Sequence, residues 1–132
     1  FTSEMVEGSN YIEGTVTESN NGITVIRVGT HSIKTLGEYR VNSRVGIVVR
    51  LEEILLSREM VRTSARNVIK AKVLEIKEES AAYMANVELW TESLHLRSKV
   101  TLEARNELAL KEGDQIYAIF KATSTQVVRE ES

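Results

Sequence analysis

The chain has 132 residues, 42% of them hydrophobic, and its 17 basic and 19 acidic side chains give a formal net charge of −2. It contains no cysteine and two histidines, which excludes disulfides and thiolate zinc sites and leaves too few ligands for a typical transition-metal centre. A net charge this close to zero also excludes the long-range positive field that attracts nucleic acids and anionic membranes. An anion would therefore have to be bound by a local cluster of donors.

The sequence contains no apolar run of the roughly 20 residues that span a bilayer, and no charged and then apolar leader opens it. We therefore expect a cytoplasmic protein with no direct membrane insertion. The chain begins with Phe1 rather than methionine, and its opening stretch, FTSEMVEGSN, resembles the end of a preceding segment. We expect a fragment of a longer protein.

The first half predicts short strands separated by tight turns, because the chain has no proline, seven glycines and many β-branched residues. Ile12, Gly14 and Val16 alternate with polar residues, and the pair Asn21-Gly22 supplies the positive φ angles of a two-residue hairpin before the strand 23–28 returns. The stretches THSIKTL and RVGIVVRLEEILLS add further strand segments.

The second half predicts the same plan, with one helix. Its predicted strands are VIKAKVLEIKEE, YMANVELW, LHLRSKV, QIYAIF and STQVV. Between LHLRSKV and QIYAIF, Thr101 is placed to cap a short helix through LEARNELAL. Arg105 and Asn106 in this helix repeat an Ala-Arg-Asn tripeptide found earlier at residues 65–67, and we interpret them as solvated residues of an amphipathic turn.

The two halves align at an offset of 57 residues, which places Tyr11 over Val68, and this predicts a degenerate duplication. Each half has about five strand segments, the number in a small barrel that leaves no sheet edge exposed. The predicted fold class is therefore all-β, with two small OB-like five-stranded barrels in tandem and a short helix in the second. We predict a boundary near residues 58–62, giving units 1–60 and 61–132.

Two cations lie at comparable strand ends of the second half. Arg66 precedes the strand from Val68 and follows the hydroxyl residues Thr63 and Ser64, while Lys121 follows QIYAIF and precedes a Thr-Ser-Thr run. Such clusters offer hydrogen-bond donors and no carboxylate, which suits a tetrahedral dianion such as sulfate, molybdate or tungstate. On spacing alone, the alternative is two ordinary solvated charges beside turn-forming residues.

Family resemblance adds to this pattern. The stretch TSARNVIKAKV, followed by LRSKVTLEARNELALKEGDQIYAIFKATSTQVV, resembles the molybdate-binding Mop (molbindin) domain, whose pattern opens with Thr-Ser-Ala-Arg-Asn and closes with Lys-Ala after an apolar strand. The first half resembles the TOBE-type half-barrel that follows the nucleotide-binding domain in ATP-binding-cassette importers, although Arg50-Leu51-Glu52-Glu53 lacks the proline usual there. The order of the halves is the one expected in the regulatory region of a molybdate or tungstate importer's ATPase subunit.

The resemblance implies a set of oxyanion-binding residues at the matching positions, with two supporting residues, Thr63 and Asn67. We interpret Asn67 as a turn and backbone-bonding residue, and Thr101 has a rival role as helix cap. Ala104 stands where some family members carry a serine. The implied binding residues are Ser64, Ala65, Arg66, Thr101, Lys121, Ala122 and Thr123.

The resemblance also implies a homodimer, a preceding ATPase domain, a membrane permease partner, molybdate or tungstate as ligand, and inhibition of transport when the oxyanion is plentiful. No cofactor and no enzymatic activity of this chain are expected, because it has neither a phosphate-binding GxxxxGK[ST] loop nor a nucleophile beside a histidine. Nucleic-acid binding is disfavoured, since Tyr83, Trp90 and Tyr117 come without a clear basic stripe. The competing function is a generic TOBE docking module without a small ligand.

Overall fold

The computed structural model describes residues 8–131, so most of the opening stretch, residues 1–7, lies outside the described part of the chain. Ten strands and one short α-helix make up the described fold. The strands are β1 (Ser9–Asn20), β2 (Ile23–Val28), β3 (His31–Leu36), β4 (Arg44–Arg50), β5 (Leu55–Ser57), β6 (Asn67–Glu79), β7 (Met84–Trp90), β8 (His95–Thr101), β9 (Gln115–Phe120) and β10 (Thr125–Glu131). The helix α1 spans Leu102–Glu107.

The predicted hairpin between β1 and β2 is confirmed. Asn21 and Gly22 have φ angles of 55° and 79°, as a type I′ turn requires, and Asn20 pairs directly with Ile23 across the turn. The predicted short helix is present but ends at Glu107 rather than at Leu110, and the predicted cap is confirmed, since the Thr101 side chain accepts a hydrogen bond from the Ala104 N–H at 3.0 Å. Local turn and cap chemistry therefore sets both features.

The strands form two antiparallel five-stranded sheets that exchange their last strands. The first sheet has the order β10-β4-β1-β2-β3 and the second β5-β9-β6-β7-β8. Thus β10 at the end of the chain pairs with β4 of the first half, and β5 of the first half pairs with β9. Strands from both sides of residue 60 therefore make up each sheet, and a division into units 1–60 and 61–132 stays a prediction.

The all-β class is confirmed, but the prediction of two closed barrels is wrong. Within residues 8–131 no backbone pairing joins the two edge strands of either sheet. In the first sheet the edges β3 and β10 are linked only through side chains, with Thr35 Oγ1 and Thr125 Oγ1 2.5 Å apart. The strand exchange accounts for the difference, because each half gives its last strand to the other sheet and cannot close on itself.

Two details of the backbone agree with the predicted offset of 57 residues between the halves. The β1–β2 ladder has an irregularity between Val16 and Glu18, and the β6–β7 ladder has one between Val73 and Glu75, 57 residues later. Such bulges bend a strand and increase its twist. The two long strands β1 and β6 therefore curve at the same position and play equivalent roles.

Two buried asparagines at the same offset, Asn10 and Asn67, join the sheets. Asn10 Nδ2 donates to the Arg97 carbonyl at 2.9 Å, and its Oδ1 accepts from the Arg97 N–H at 2.7 Å. Asn67 makes the matching pair with the backbone of Lys34, donating at 3.0 Å and accepting at 2.7 Å. Each asparagine side chain thus bonds the backbone N–H and C=O of one residue in the other sheet. These two backbone groups would otherwise lack a partner.

A single hydrophobic core lies between the sheets, and both halves contribute to it. Its largest fully buried side chains include Phe120, Ile12, Ile26, Ile33, Ile47, Leu89, Leu96 and Ile116. Residues alternate between buried and exposed along most strands, as sheets with one solvated face require. Among the described residues, no helix has the length and apolar character needed to cross a membrane.

Candidate oxyanion site

The start of β6 and the end of β9 bring the two predicted cations together. Asn67, the first residue of β6, pairs with Phe120, the last residue of β9. Arg66 and Lys121 are the next residues beyond this pair, so both lie just past the same end of two neighbouring strands. Like charges at adjacent strand ends repel each other, and an anion bound beside them would offset that repulsion.

A compact turn presents the residues before Arg66. The Ala65 N–H donates to Thr63 Oγ1 at 2.7 Å, a local bond typical of hydroxyl residues in turns. Arg66 Nη2 donates to the Thr63 carbonyl at 2.9 Å and Nε to the Ser64 carbonyl at 3.2 Å. Thr63 therefore shapes the loop, and the N–H of Ala65, one of the implied binding residues, already has a partner.

On the other strand, β9 continues into one turn of 3-10 helix at Ala122–Ser124. The Ser124 N–H donates to the Lys121 carbonyl at 3.0 Å, and Thr125 Oγ1 donates to the Ala122 carbonyl at 2.7 Å. Ala122 is buried, whereas Lys121 and Thr123 are exposed. The small alanine anchors the turn in the core and leaves both polar side chains facing solvent.

Five of the predicted binding residues line one cleft of about 340 Å³. They are Ser64, Arg66, Lys121, Ala122 and Thr123. The remaining wall is apolar and comes from the first half, where Ile23 and Leu36 form a cross-strand pair at the end of the β2–β3 ladder. Sequence reasoning did not find these two residues; the one local signal was Leu36 standing at a strand end before Gly37.

The charges of the cleft are not neutralised within the described chain. Across residues 8–131, neither Arg66 nor Lys121 makes an ion pair, and the residues that line the cleft include no Asp or Glu. Both side chains are exposed. Arg66 uses two N–H donors on backbone carbonyls, and its other guanidinium donors remain available for an acceptor.

Carboxylates lie on the far side of Lys121. A second cleft of about 240 Å³ is lined by Lys121 and by Thr63, Ala65, Glu52 and Glu53, among others. Ser124 Oγ donates to Glu53 Oε1 at 2.7 Å, which ties that carboxylate to the 3-10 turn. The residues that line the first cleft thus include no carboxylate, as predicted, whereas the other surroundings of Lys121 do. Sequence reasoning missed this second cleft because Glu53 and Ser124 are 71 residues apart.

The structure places Thr101 away from the cleft within one chain. β6 runs twelve residue steps from Asn67 to Glu79, where it pairs with Met84, and Met84 pairs with Thr101. This separates Thr101 from the cleft by roughly 40 Å along the strand. The Thr101 hydroxyl caps α1 by accepting from the Ala104 N–H, and its own hydrogen is left to donate elsewhere.

Asn67, in contrast, adjoins the cleft but faces the interior. It is 2% exposed and bonds the Lys34 backbone across the sheets, in agreement with its interpretation as a backbone-bonding residue. The second Ala-Arg-Asn tripeptide is in another environment: Arg105 lies on α1, as predicted, and makes a surface ion pair with Glu78. Identical tripeptides therefore serve different local structures.

Arg58 anchors the start of the segment 58–66, which connects β5 to β6 and ends at the cleft. Its Nε donates to the Leu108 carbonyl at 3.0 Å, and its Nη2 donates to the Ala109 carbonyl and to Asp114 Oδ2, both at 2.8 Å. The Arg58 guanidinium, and then the Lys111 N–H, hold the pKa of the Asp114 carboxyl below its usual value. The connection from β5 to β6 is thus fastened to the end of α1.

Within residues 8–131, no three His, Cys, Asp or Glu side chains lie together as metal ligands would. The arrangement of the first cleft instead combines two unpaired cations with hydroxyl donors. Chemically, it can accept a small anion whose oxygens take several hydrogen bonds.

Comparisons with known proteins agree on one family for this chain. The TOBE domain model matches residues 63–127. The molybdate/tungstate import ATP-binding protein WtpC of Pyrococcus horikoshii is 37% identical over 118 residues, which are 89% of this chain and 32% of that protein. A probable molybdenum-pterin-binding protein of Haemophilus influenzae is 39% identical over 66 residues, covering 50% of this chain and 94% of that protein.

A solved structure has the same fold. The cytoplasmic molybdate-binding protein ModG, in a crystal form with molybdate bound, superposes with a TM-score of 0.84 at 26% identity, covering 92% of this chain and 96% of ModG. The chain spans about a third of the length of the importer protein that it matches. The chain therefore belongs to the TOBE-domain family and is related to the C-terminal parts of molybdate and tungstate importer ATPases and to ModG-like proteins.

Proposed function

We propose that this chain is the cytoplasmic regulatory domain of a molybdate or tungstate importer's ATP-binding subunit, and that it binds the oxyanion in the cleft between Arg66 and Lys121. The observation that carries the proposal is that these two cations line one cleft at the ends of two neighbouring strands, beside Ser64 and Thr123. Neither cation has a carboxylate partner among the residues that line this cleft. A dianion supplies the missing negative charge and accepts from each donor.

The apolar wall of the cleft supports anion binding. Ala122 and the pair Ile23 and Leu36 bring apolar surface to one side of the cleft, which lowers the local dielectric and strengthens charge-assisted hydrogen bonds. Neither a cofactor nor a metal ion is part of the proposal, since the donors present suit an oxyanion directly.

A second copy of the chain completes the site in this proposal. The cleft of one chain is open to solvent on the side of Arg66 and Lys121, both exposed, and Thr101 lies far from it within the same chain. In a homodimer, Thr101 of the second copy donates its hydroxyl hydrogen to the ligand while its oxygen keeps the cap of α1. Two half-sites surround a dianion better than one.

Binding between copies gives a route to regulation. An oxyanion that contacts both copies favours the relative orientation in which both half-sites meet, and attached ATPase domains respond to that change in population. The result is inhibition of transport, through the permease partner, when cytoplasmic oxyanion is plentiful. The alternative remains a TOBE docking module without a small ligand, favoured by the turn's own use of the Ala65 N–H.

Isothermal titration with molybdate, tungstate and sulfate tests the proposal. We expect saturable binding of molybdate or tungstate, and a loss of roughly 1.5–3 kcal/mol in Arg66→Ala, the scale of one hydrogen bond to a charged group. Arg105→Ala is the matched control, because Arg105 occupies the same tripeptide on α1 and pairs with Glu78. No binding of any of the three anions would favour the docking module, and equal losses in both variants would mean that the pocket is elsewhere.

A further inference from the structure

A third cleft, separate from the two described above, lies on the outer face of the β5-β9-β6-β7-β8 sheet. It has a volume of about 340 Å³ and lies where β6, β7 and β9 meet the turn between β2 and β3. Lys72 is central, since it pairs with Gln115 of β9 on one side and with Trp90 of β7 on the other. The cleft shares no lining residue with the proposed oxyanion site.

Two lysines of this cleft have no counter-ion in the described chain. Lys70 and Lys72 are exposed and alternate with the buried Ile69, Ala71 and Val73 along β6. Two-residue spacing places them on one face about 7 Å apart. Neither makes an ion pair within residues 8–131, whereas Lys77 farther along the same strand lies 4.0 Å from Glu75.

The third feature of the cleft is an exposed aromatic ring. Trp90 is the last residue of β7, has 41% of its surface exposed, and is the one tryptophan of the sequence. Next to it, Thr91 Oγ1 lies 3.1 Å from His31 Nε2, which fixes one wall. An indole beside lysines offers a stacking surface and positive charge together, the two features with which proteins bind the bases and phosphates of single-stranded nucleic acids.

We propose that this cleft binds a nucleoside di- or triphosphate, with the base stacked on Trp90 and the phosphates held by Lys70 and Lys72. Two lysines on one face supply two ammonium groups that can each donate charge-assisted hydrogen bonds to a polyphosphate. Glu92, which also lines the cleft, opposes the phosphates and limits the affinity. The proposal is independent of oxyanion binding, because it uses neither Arg66 nor Lys121.

The unique tryptophan provides the assay. Titration of the whole chain with ADP and ATP is expected to give saturable quenching of Trp90 fluorescence, with the same dissociation constant by calorimetry. Inorganic triphosphate, which carries charge but no base, should bind at least about tenfold more weakly, and molybdate should leave the fluorescence unchanged. If triphosphate binds as tightly as ATP, or if the nucleotides give no saturable signal, the proposal is wrong.

Variants assign the contacts. The double substitution Lys70→Ala and Lys72→Ala should weaken ATP binding by about 100-fold or more, since each lost charge-assisted hydrogen bond costs about tenfold or more. Lys77→Ala is the matched control on the same strand and should have no effect, and Glu92→Gln should tighten binding. All these side chains are exposed, so circular dichroism is expected to match the parent chain. A Lys77→Ala loss equal to that of the double variant would show non-specific attraction and overturn the assignment.

Discussion

The inter-sheet bridge made by Asn67 yields the sharpest stability prediction. Asn67→Ala removes one hydrogen bond to the Lys34 carbonyl and one from the Lys34 N–H. Asn67 is 2% exposed, so water does not readily replace the lost partner. Because an unsatisfied buried donor or acceptor costs about 1–3 kcal/mol, we expect the free energy of unfolding to fall by roughly 2–4 kcal/mol.

Urea unfolding followed by circular dichroism measures this change, with the slope of the transition checked for constancy. Asn106→Ala is the control, since Asn106 is the exposed asparagine of the other Ala-Arg-Asn tripeptide and its loss should change stability by less than about 0.5 kcal/mol. A change below about 1 kcal/mol in Asn67→Ala would refute the bridge as a major link between the sheets.

Three further predictions concern other parts of the chain. Lys121→Ala should lower oxyanion affinity about tenfold or more, measured by titration, with unfolding unchanged because Lys121 is exposed; an unchanged affinity would remove Lys121 from the site. Gly14→Ala should destabilise the fold by about 1–3 kcal/mol in urea unfolding, because a Cβ there would lie 2.4 Å from Ile26 Cγ2 and 2.5 Å from the Arg27 carbonyl oxygen; a neutral result would contradict the close packing of β1 on β2. Since the folded pKa of Asp114 is lowered, its charge stabilises the fold above the unfolded value of 3.8 and ceases to do so as the pH falls through the folded pKa. Asp114→Asn should therefore be less stable than the parent chain at neutral pH, with the gap closing in acid, and a gap independent of pH would contradict the Arg58 contact.

Local features of the fold were predictable because short-range chemistry determines them. Asn21-Gly22 specified a type I′ turn, and Thr101 specified a helix start, without knowledge of the rest of the chain. The duplication was also visible, since equivalent strands keep equivalent patterns. The exchange of β5 and β10 was not predictable, because alternation shows which face of a strand is buried but not which neighbour it pairs with.

The same limit applies to the sites. Arg66 and Lys121 could be grouped from their strand ends and the family resemblance, whereas Ile23 and Leu36 could be added only once the sheets were seen packed together. Similarly, Lys70, Lys72 and Trp90 look unrelated in the sequence. They become one surface because β6 and β7 pair in a register that sets Lys72 opposite Trp90.

The most direct test of the central proposal is a crystal structure of this chain soaked with tungstate, whose heavy atom is located by its anomalous scattering. We predict that the tungsten lies in the cleft between Arg66 and Lys121, within hydrogen-bonding reach of Ser64 and Thr123, and faces Thr101 of a second copy. Tungsten bound elsewhere, or a cleft that stays empty at saturating tungstate, would contradict the account.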